Sequence, residues 1–162
     1  MAKFSPKSEE IAKEINILRK LDKKGTTNQN NLVEYDIVVL QNFEKNNQLV
    51  CGYFIMPRYT ELDLSNPLKV ASELVTSLEL LHSIGRVHND IKPENTMTDK
   101  NGRAVIIDMG YCEKYSEEDI GTDEFRGSLM FSSIDKLMFK KPTRKDDLVS
   151  LAYFLITMAN GD

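Results

Sequence analysis

Apolar side chains along this chain fall into two kinds of spacing, and polar loops separate the segments that carry them. Ile11, Ile15, Leu18 and Leu21 recur at helical intervals behind Ser8-Glu9-Glu10. Serine suits a helix N-cap, and acidic residues suit the positive end of the helix dipole, so a helix is predicted to open at Ser8. Residues 1–7 read as the tail of a strand, and the polar run from Gly25 to Asn31 reads as a loop. Residues 33–43 and 48–56 alternate around apolar centres, which predicts two strands joined by a turn at Glu44-Lys45-Asn46-Asn47. Leu68, Ala71, Leu74, Val75, Leu78, Leu81 and Ile84 form a wide apolar face behind Asn66-Pro67. Proline belongs in a first helical turn and Gly85 suits the C-terminal cap, so a helix is predicted over residues 67–83. Residues 96–100 and 105–107 flank an Asn101-Gly102 pair, the signal of a β-hairpin. The apolar run 151–158 predicts a buried helix that stops at Asn160-Gly161-Asp162.

Composition adds bounds. The chain has 162 residues, 41% hydrophobic and 28% charged, enough for one core. Its net charge of −4 gives no basic signal, so no nucleic-acid partner is expected. No apolar run is long enough to span a bilayer, and the start lacks an apolar signal region, so no membrane association is expected. Cys51 and Cys112 have no framework or metal spacing. Reduced thiols, and hence an intracellular, cytoplasmic or nuclear location, are the expectation.

Candidate chemistry concentrates in two stretches, Val87-His88-Asn89-Asp90-Ile91-Lys92-Pro93-Glu94-Asn95 and, with Asp108 thirteen residues past Asn95, Ile106-Ile107-Asp108-Met109-Gly110. Singly, an Asp and an Asn on a polar loop are turn formers. Together, in this order and at this separation, they resemble the catalytic loop H-R-D-L-K-x-x-N and the metal-binding D-F-G of eukaryotic protein kinases. Phosphoryl transfer asks a protein for positioning and for a counter to phosphate charge. The resemblance implies that Asp90 orients the incoming hydroxyl and accepts its proton, and that Lys92 reaches the transferred phosphate. It implies that Asn95 and Asp108 ligate Mg2+, which takes oxygen ligands and keeps several waters. Gly110 lets the backbone turn after Met109.

The flanks extend the resemblance. Ala2-Lys3-Phe4 resembles the end of a V-A-I-K strand, implying that Lys3 holds ATP phosphates. Glu14 resembles the regulatory-helix glutamate that pairs with that lysine, at a separation shorter than in most kinases. Tyr53-Phe54-Ile55-Met56-Pro57-Arg58-Tyr59 is similar to the last N-lobe strand and hinge of casein kinase 1 and of vaccinia-related kinases. Met56 would be the gatekeeper, with the backbone near Pro57 and Tyr59 on the adenine edge. His82, in L-H-S-x-G, reads as structural. Gly127-Ser128-Leu129-Met130-Phe131-Ser132-Ser133-Ile134 resembles G-T-A-R-Y-A-S-I of the casein kinase 1 group. Ser128 stands where a threonine bonds the catalytic Asp and Lys, and Lys92 with Ser128 implies serine/threonine substrates. Arg144-Lys145-Asp146-Asp147-Leu148 resembles R-R-D-D-L of the same group, and Asp147 would hold the catalytic-loop backbone near His88. Asn89 replaces the Arg of H-R-D, which implies a kinase that needs no phosphate on Tyr115, Ser116 or Thr122.

The expected fold is α+β, a protein kinase-like two-lobe fold in part: residues 1–56 an N-lobe remnant, 57–60 the hinge, 61–162 part of the C-lobe. No glycine-rich loop occurs in the sequence, and truncation at both ends is the expectation. The expected function is an ATP- and Mg2+-dependent serine/threonine protein kinase of the casein kinase 1 kind, acting on a protein substrate. The alternative is a catalytically inactive kinase-like binding module or gene fragment, with a partner covering the exposed faces.

Overall fold

A computed structural model describes residues 2–5, 8–22, 44–45, 48–49, 52–115 and 121–160, with side chains described for 11–21, 55–115 and 121–160. Strand β1 (Ala2–Ser5) runs antiparallel to β4 (Gly52–Ile55), with Lys3 opposite Phe54. Helix α1 (Ser8–Asp22) packs on both. It buries Ile11, Ile15, Leu18 and Leu21 as its periodicity predicts, and Ile17 and Glu14 with them. Ile17 joins because residues 14, 17 and 21 form a second row beside the first.

Strands β2 (Glu44–Lys45) and β3 (Gln48–Leu49) pair with each other. Glu44 and Lys45, predicted as turn, are therefore strand, while residues 46–47 lie outside the described residues. The strand predicted over 48–56 appears as β3 and β4 with different partners, and Met56 lies beyond β4. The strand predicted over 33–43 and the loop before it lie outside the described residues.

Helix α2 (Pro67–Ser83) has the predicted bounds, for local reasons. The Asn66 side chain accepts from Lys69 N at 3.1 Å, Pro67 fills the first turn, and Gly85 takes φ +74 beyond the C-terminus. Its buried face is narrower than predicted. Val70, Leu74, Leu78 and Leu81 are buried, while Leu68 is 85% and Val75 44% exposed. The helix contacts α4, β5 and β7 along one stripe only, and residues off that stripe face water.

Two short ladders follow. β5 (Arg86–Val87) pairs with β8 (Glu113–Lys114), and β6 (Thr96–Thr98) with β7 (Ala104–Ile106). The second is the predicted hairpin, shortened because Asp99 turns inward to accept the N–H groups of Asn101 (2.8 Å) and Arg103 (2.9 Å). Helix α3 (Ile134–Leu137) and helix α4 (Arg144–Asn160) complete the chain. The expectation that 151–158 is buried holds for one face: Leu151 and Phe154 are buried, but Tyr153 is 40% and Ile156 58% exposed. The first turn of α4 buries the carboxylates of Asp146 and Asp147 instead of apolar groups. One core runs through Leu74, Leu78, Leu81, Ile91, Ile106, Met109, Leu151 and Phe154. Among the described residues no helix is long and apolar enough to cross a membrane.

Candidate active site

β5 leads into the loop 88–92, and α4 holds that loop from below. Asp147 accepts His88 N on Oδ2 and Asn89 N on Oδ1, both at 2.8 Å, and its Oδ2 also meets His82 Nε2 at 2.8 Å. One carboxylate takes two successive amides, and Asn89 itself adopts φ 73. Asparagine is among the few residues that tolerate this left-handed conformation. The role expected of Asp147 is thus observed, and His82 is structural, as its context implied.

His88 is fully buried and acts as a neutral spacer. Its Nε2 meets the Ile107 carbonyl at 3.2 Å, and Asp90 N donates to Nδ1 at 3.3 Å, which sets the tautomer with the proton on Nε2. Burial pushes its pKa below the usual imidazole value, against the pull of nearby Asp147.

Asp90, Lys92 and Asn95 converge. Asp90 Oδ2 accepts from Asn95 Nδ2 and pairs with Lys92 Nζ, each at 2.8 Å. The same Asn95 nitrogen donates to the Asp90 carbonyl at 2.9 Å, so its amide oxygen is left as an acceptor. The bond to Asp90 raises the Lys92 pKa. Asp90 Oδ1 is buried and, among the described residues, has no hydrogen-bond partner. A short 3-10 turn over Pro93–Asn95 delivers Asn95, and Ile107 N donates to the Asn95 carbonyl at 2.9 Å. The β6–β7 hairpin therefore returns the chain so that Asp108 emerges beside Asn95.

Asp108 takes φ 63, and its Oδ1 accepts from Gly110 N at 3.1 Å. The sharp turn is thus made at Asp108, not at Gly110. A Cβ on Gly110 would stand 3.0 Å from the Asp108 carboxylate, a tight contact with the end of a side chain. The intervening Met109 is buried, and its N–H donates to Glu14 Oε1 at 3.0 Å. Glu14 thereby ties α1 to the 108–110 turn. Lys3 sits in β1, but its side chain lies outside the described residues.

Met56 and Tyr59 are buried and Pro57 half-buried just past β4. The segment is pinned to β6 by a reciprocal pair of 3.0 Å bonds between Thr60 and Thr98. Ser128 does not make the bond expected of it. The described partners of Asp90 are Asn95 and Lys92, while the Ser128 carbonyl accepts from Ser132 Oγ at 2.6 Å. The local turn that seats Phe131 and Ser132 in the interior occupies this stretch instead.

Lys136 was not singled out in the sequence. Its side chain is 6% exposed, and its Nζ donates to the Asn89 carbonyl at 2.6 Å. The Phe125 ring lies 5.7 Å from it. Burial lowers its pKa, opposed by Asp147, Asp146, Asp90 and Glu113. Asn89 Nδ2 in turn donates to Glu113 Oε1 at 2.8 Å. No local signal marks Lys136, because only the tertiary fold buries it.

Among the described residues no group of three or more His, Cys, Asp or Glu is arranged to hold a metal. The oxygens offered are the Asn95 amide and the Asp108 carboxylate. That set fits a hard cation that takes its other ligands from water and phosphate.

The family model described as protein kinase domain matches residues 2–162. A casein kinase 1-like protein of Oryza sativa subsp. japonica is 35% identical over 105 residues, covering 57% of this chain and 15% of the relative. The "Probable casein kinase I homolog" of Encephalitozoon cuniculi is 36% identical over 95 residues, covering 55% and 30%. A serine/threonine-protein kinase of Eremothecium gossypii is 33% identical over 95 residues, covering 55% and 13%. The chain spans less than a third of the length of each of these relatives. Matched by the family model over all but its first residue, the chain belongs to the protein kinase domain family.

Proposed function

We propose that this chain transfers the γ-phosphoryl group of ATP to serine or threonine hydroxyls of a protein, in the manner of the casein kinase 1 group. The observation that carries this reading is Asp90 Oδ1, a buried acceptor with no partner among the described residues, on a carboxylate whose other oxygen is held by Asn95 and Lys92. A buried, unfilled acceptor costs stability unless a donor arrives, and a substrate hydroxyl is such a donor. Asp90 takes that hydroxyl's proton as the oxygen attacks phosphorus. The Lys92 ammonium, on a partly exposed side chain, offsets charge on the transferred group. Asn95 and Asp108 would hold Mg2+, which supplies a counter-charge to the β- and γ-phosphates when bound. Lys3, steadied by Glu14, is assigned to the α- and β-phosphates, and Met56, Pro57 and Tyr59 to the adenine side. Lys92, paired with Asp90, supports serine/threonine over tyrosine. The casein kinase 1-like names of two relatives support the subgroup. The buried free thiol of Cys112 fits an intracellular setting.

The test is thermal unfolding with and without ATP and Mg2+, beside Asp108→Asn. Ligand at about 100 times its dissociation constant adds roughly 2.7 kcal/mol. A shift that requires the metal and is lost in Asp108→Asn is expected. A cooperative transition with no shift overturns the reading and leaves a kinase-like binding module.

A further inference from the structure

We propose that Lys136 is a positioning residue for the transfer reaction: from α3 it grips the Asn89 carbonyl and so fixes the peptide unit that carries Asp90. The inference rests on the kinase reading for its catalytic consequence, but the clamp itself stands on geometry alone.

A peptide unit is planar, so holding both of its polar ends fixes the plane and the direction in which the next Cα departs. In the unit between Asn89 and Asp90, the N–H donates to His88 Nδ1 at 3.3 Å and the C=O accepts from Lys136 Nζ at 2.6 Å. The two preceding units are held through their N–H groups by Asp147. Lys136 therefore completes a run of three fixed peptide units ending at Asp90.

Its own base is anchored with equal care. Ser133 caps α3 through Lys136 N at 3.2 Å, and the Ser133 hydroxyl is bonded to Asp146 Oδ1. Asp146 Oδ2 also takes Thr143 N at 2.6 Å and Thr143 Oγ1 at 2.8 Å. Adjacent carboxylates on α4 thus divide the work: Asp146 holds α3, and Asp147 holds the loop. Lys136 closes the triangle by linking α3 back to the loop. The approach is close enough to dictate a third residue. A Cβ on Gly127, at φ +103, would stand 2.2 Å from the Asn89 carbonyl oxygen and 3.1 Å from Lys136 Nζ.

A lysine that served only to neutralise the acids would sit on a carboxylate. Among the described residues this ammonium forms no direct ion pair and points at a carbonyl instead. Burial pushes its pKa down, and Asp147, Asp146, Asp90 and Glu113, at longer range, oppose that push. Asn89 brings no charge of its own to this place. Lys136 on α3 thus joins the segment after Gly127 to the catalytic loop.

The experiment compares the full chain with Lys136→Met and Lys136→Arg by amide hydrogen exchange and by steady-state turnover on a protein substrate. Loss of one charge-assisted bond predicts about tenfold faster exchange at residues 88–90 in Lys136→Met, with α2 and the second half of α4 unchanged. A shift of Asp90 by a fraction of an ångström predicts roughly 10- to 100-fold lower kcat, with KM for ATP within about twofold. Lys136→Arg, which keeps the charge and donors, recovers the exchange protection. The proposal is overturned if Lys136→Met exchanges like the parent at 88–90, or if protection falls equally across α2 and α4. It also fails if Lys136→Arg behaves like Lys136→Met. Absence of turnover in the parent chain would remove the kinase reading while the exchange data still decide the clamp.

Discussion

Replacing Asp147 by asparagine changes one oxygen to an NH2 group and almost nothing in volume, which makes it a sharp probe of the loop. Asp147 is 2% exposed, and its two oxygens take three N–H groups at 2.8 Å. An amide placed with its oxygen at Oδ2 keeps His88 N and His82 but turns a donor toward Asn89 N. The stranded, buried Asn89 N–H costs about 1–3 kcal/mol, and the loss of charge assistance on the two remaining bonds adds about 1 kcal/mol each. Relief of a buried charge offsets part of this, so the expected loss is about 2–4 kcal/mol. Small domains unfold at a cost of about 5–15 kcal/mol, so the variant should remain folded but visibly weakened. Urea unfolding is the assay. With a slope of about 1–3 kcal/mol per molar, the midpoint should fall by about 0.7–4 M at unchanged slope. Leu148→Ala, the next residue on α4 and 46% exposed, should stay within about 0.5 kcal/mol and serves as the control. An Asp147→Asn midpoint as close to the parent as this control would refute the idea that the carboxylate holds the loop.

Gly127→Ala combines a strained backbone at φ +103 with a Cβ 2.2 Å from the Asn89 oxygen. It should lower stability by more than about 2 kcal/mol, and a melting temperature equal to the parent's would count against the contact. On α2, Leu74→Ala should cost about 2–5 kcal/mol while Leu68→Ala should be nearly neutral, read from paired urea curves; reversed costs would mean that the buried stripe is misplaced. His88 has a lowered pKa in the folded state, so the unfolded chain binds more protons below an unfolded pKa of about 6.5. Stability from this group is therefore present at neutral pH and lost as pH falls through that value. Calorimetry in buffers of different ionisation heat near pH 5.5 should show net proton uptake on unfolding, and release would contradict the neutral imidazole.

Much of the site was legible because its signals are local or come as motifs. The bounds of α2 follow from Asn66, Pro67 and Gly85, each of which acts within a turn of itself. Asn101-Gly102 announced the hairpin in the same way. Asp90, Lys92, Asn95 and Asp147 were placed by their motif context, and the fold brings them together. Other features depend on what packs where. Leu68 and Val75 carry the helical period yet face water, because the neighbours of α2 cover a single stripe. Glu44 and Lys45 look like turn residues and form a ladder. Lys136 is a charged group that the tertiary fold encloses, and no pattern in the chain distinguishes it from a solvated one. Ser128 shows the converse: a motif assigned a contact that the local turn to Ser132 does not make.

The hairpin between Asn95 and Asp108 has a consequence for how sequence change is tolerated. The Ile107–Asn95 bond ties the chain at Asn95 to the residue before Asp108 at the hairpin's base. Its tip, Asn101-Gly102, is exposed and at the far end, and Lys69 Nζ meets it only through the Gly102 carbonyl at 2.8 Å. Residues added at the tip lengthen the ladder without moving its base, whereas a single residue added between Ile106 and Asp108 would flip the register. Length is therefore free to drift at one end of this element and frozen at the other, so two chains could differ in size here and still present the same pair of oxygens.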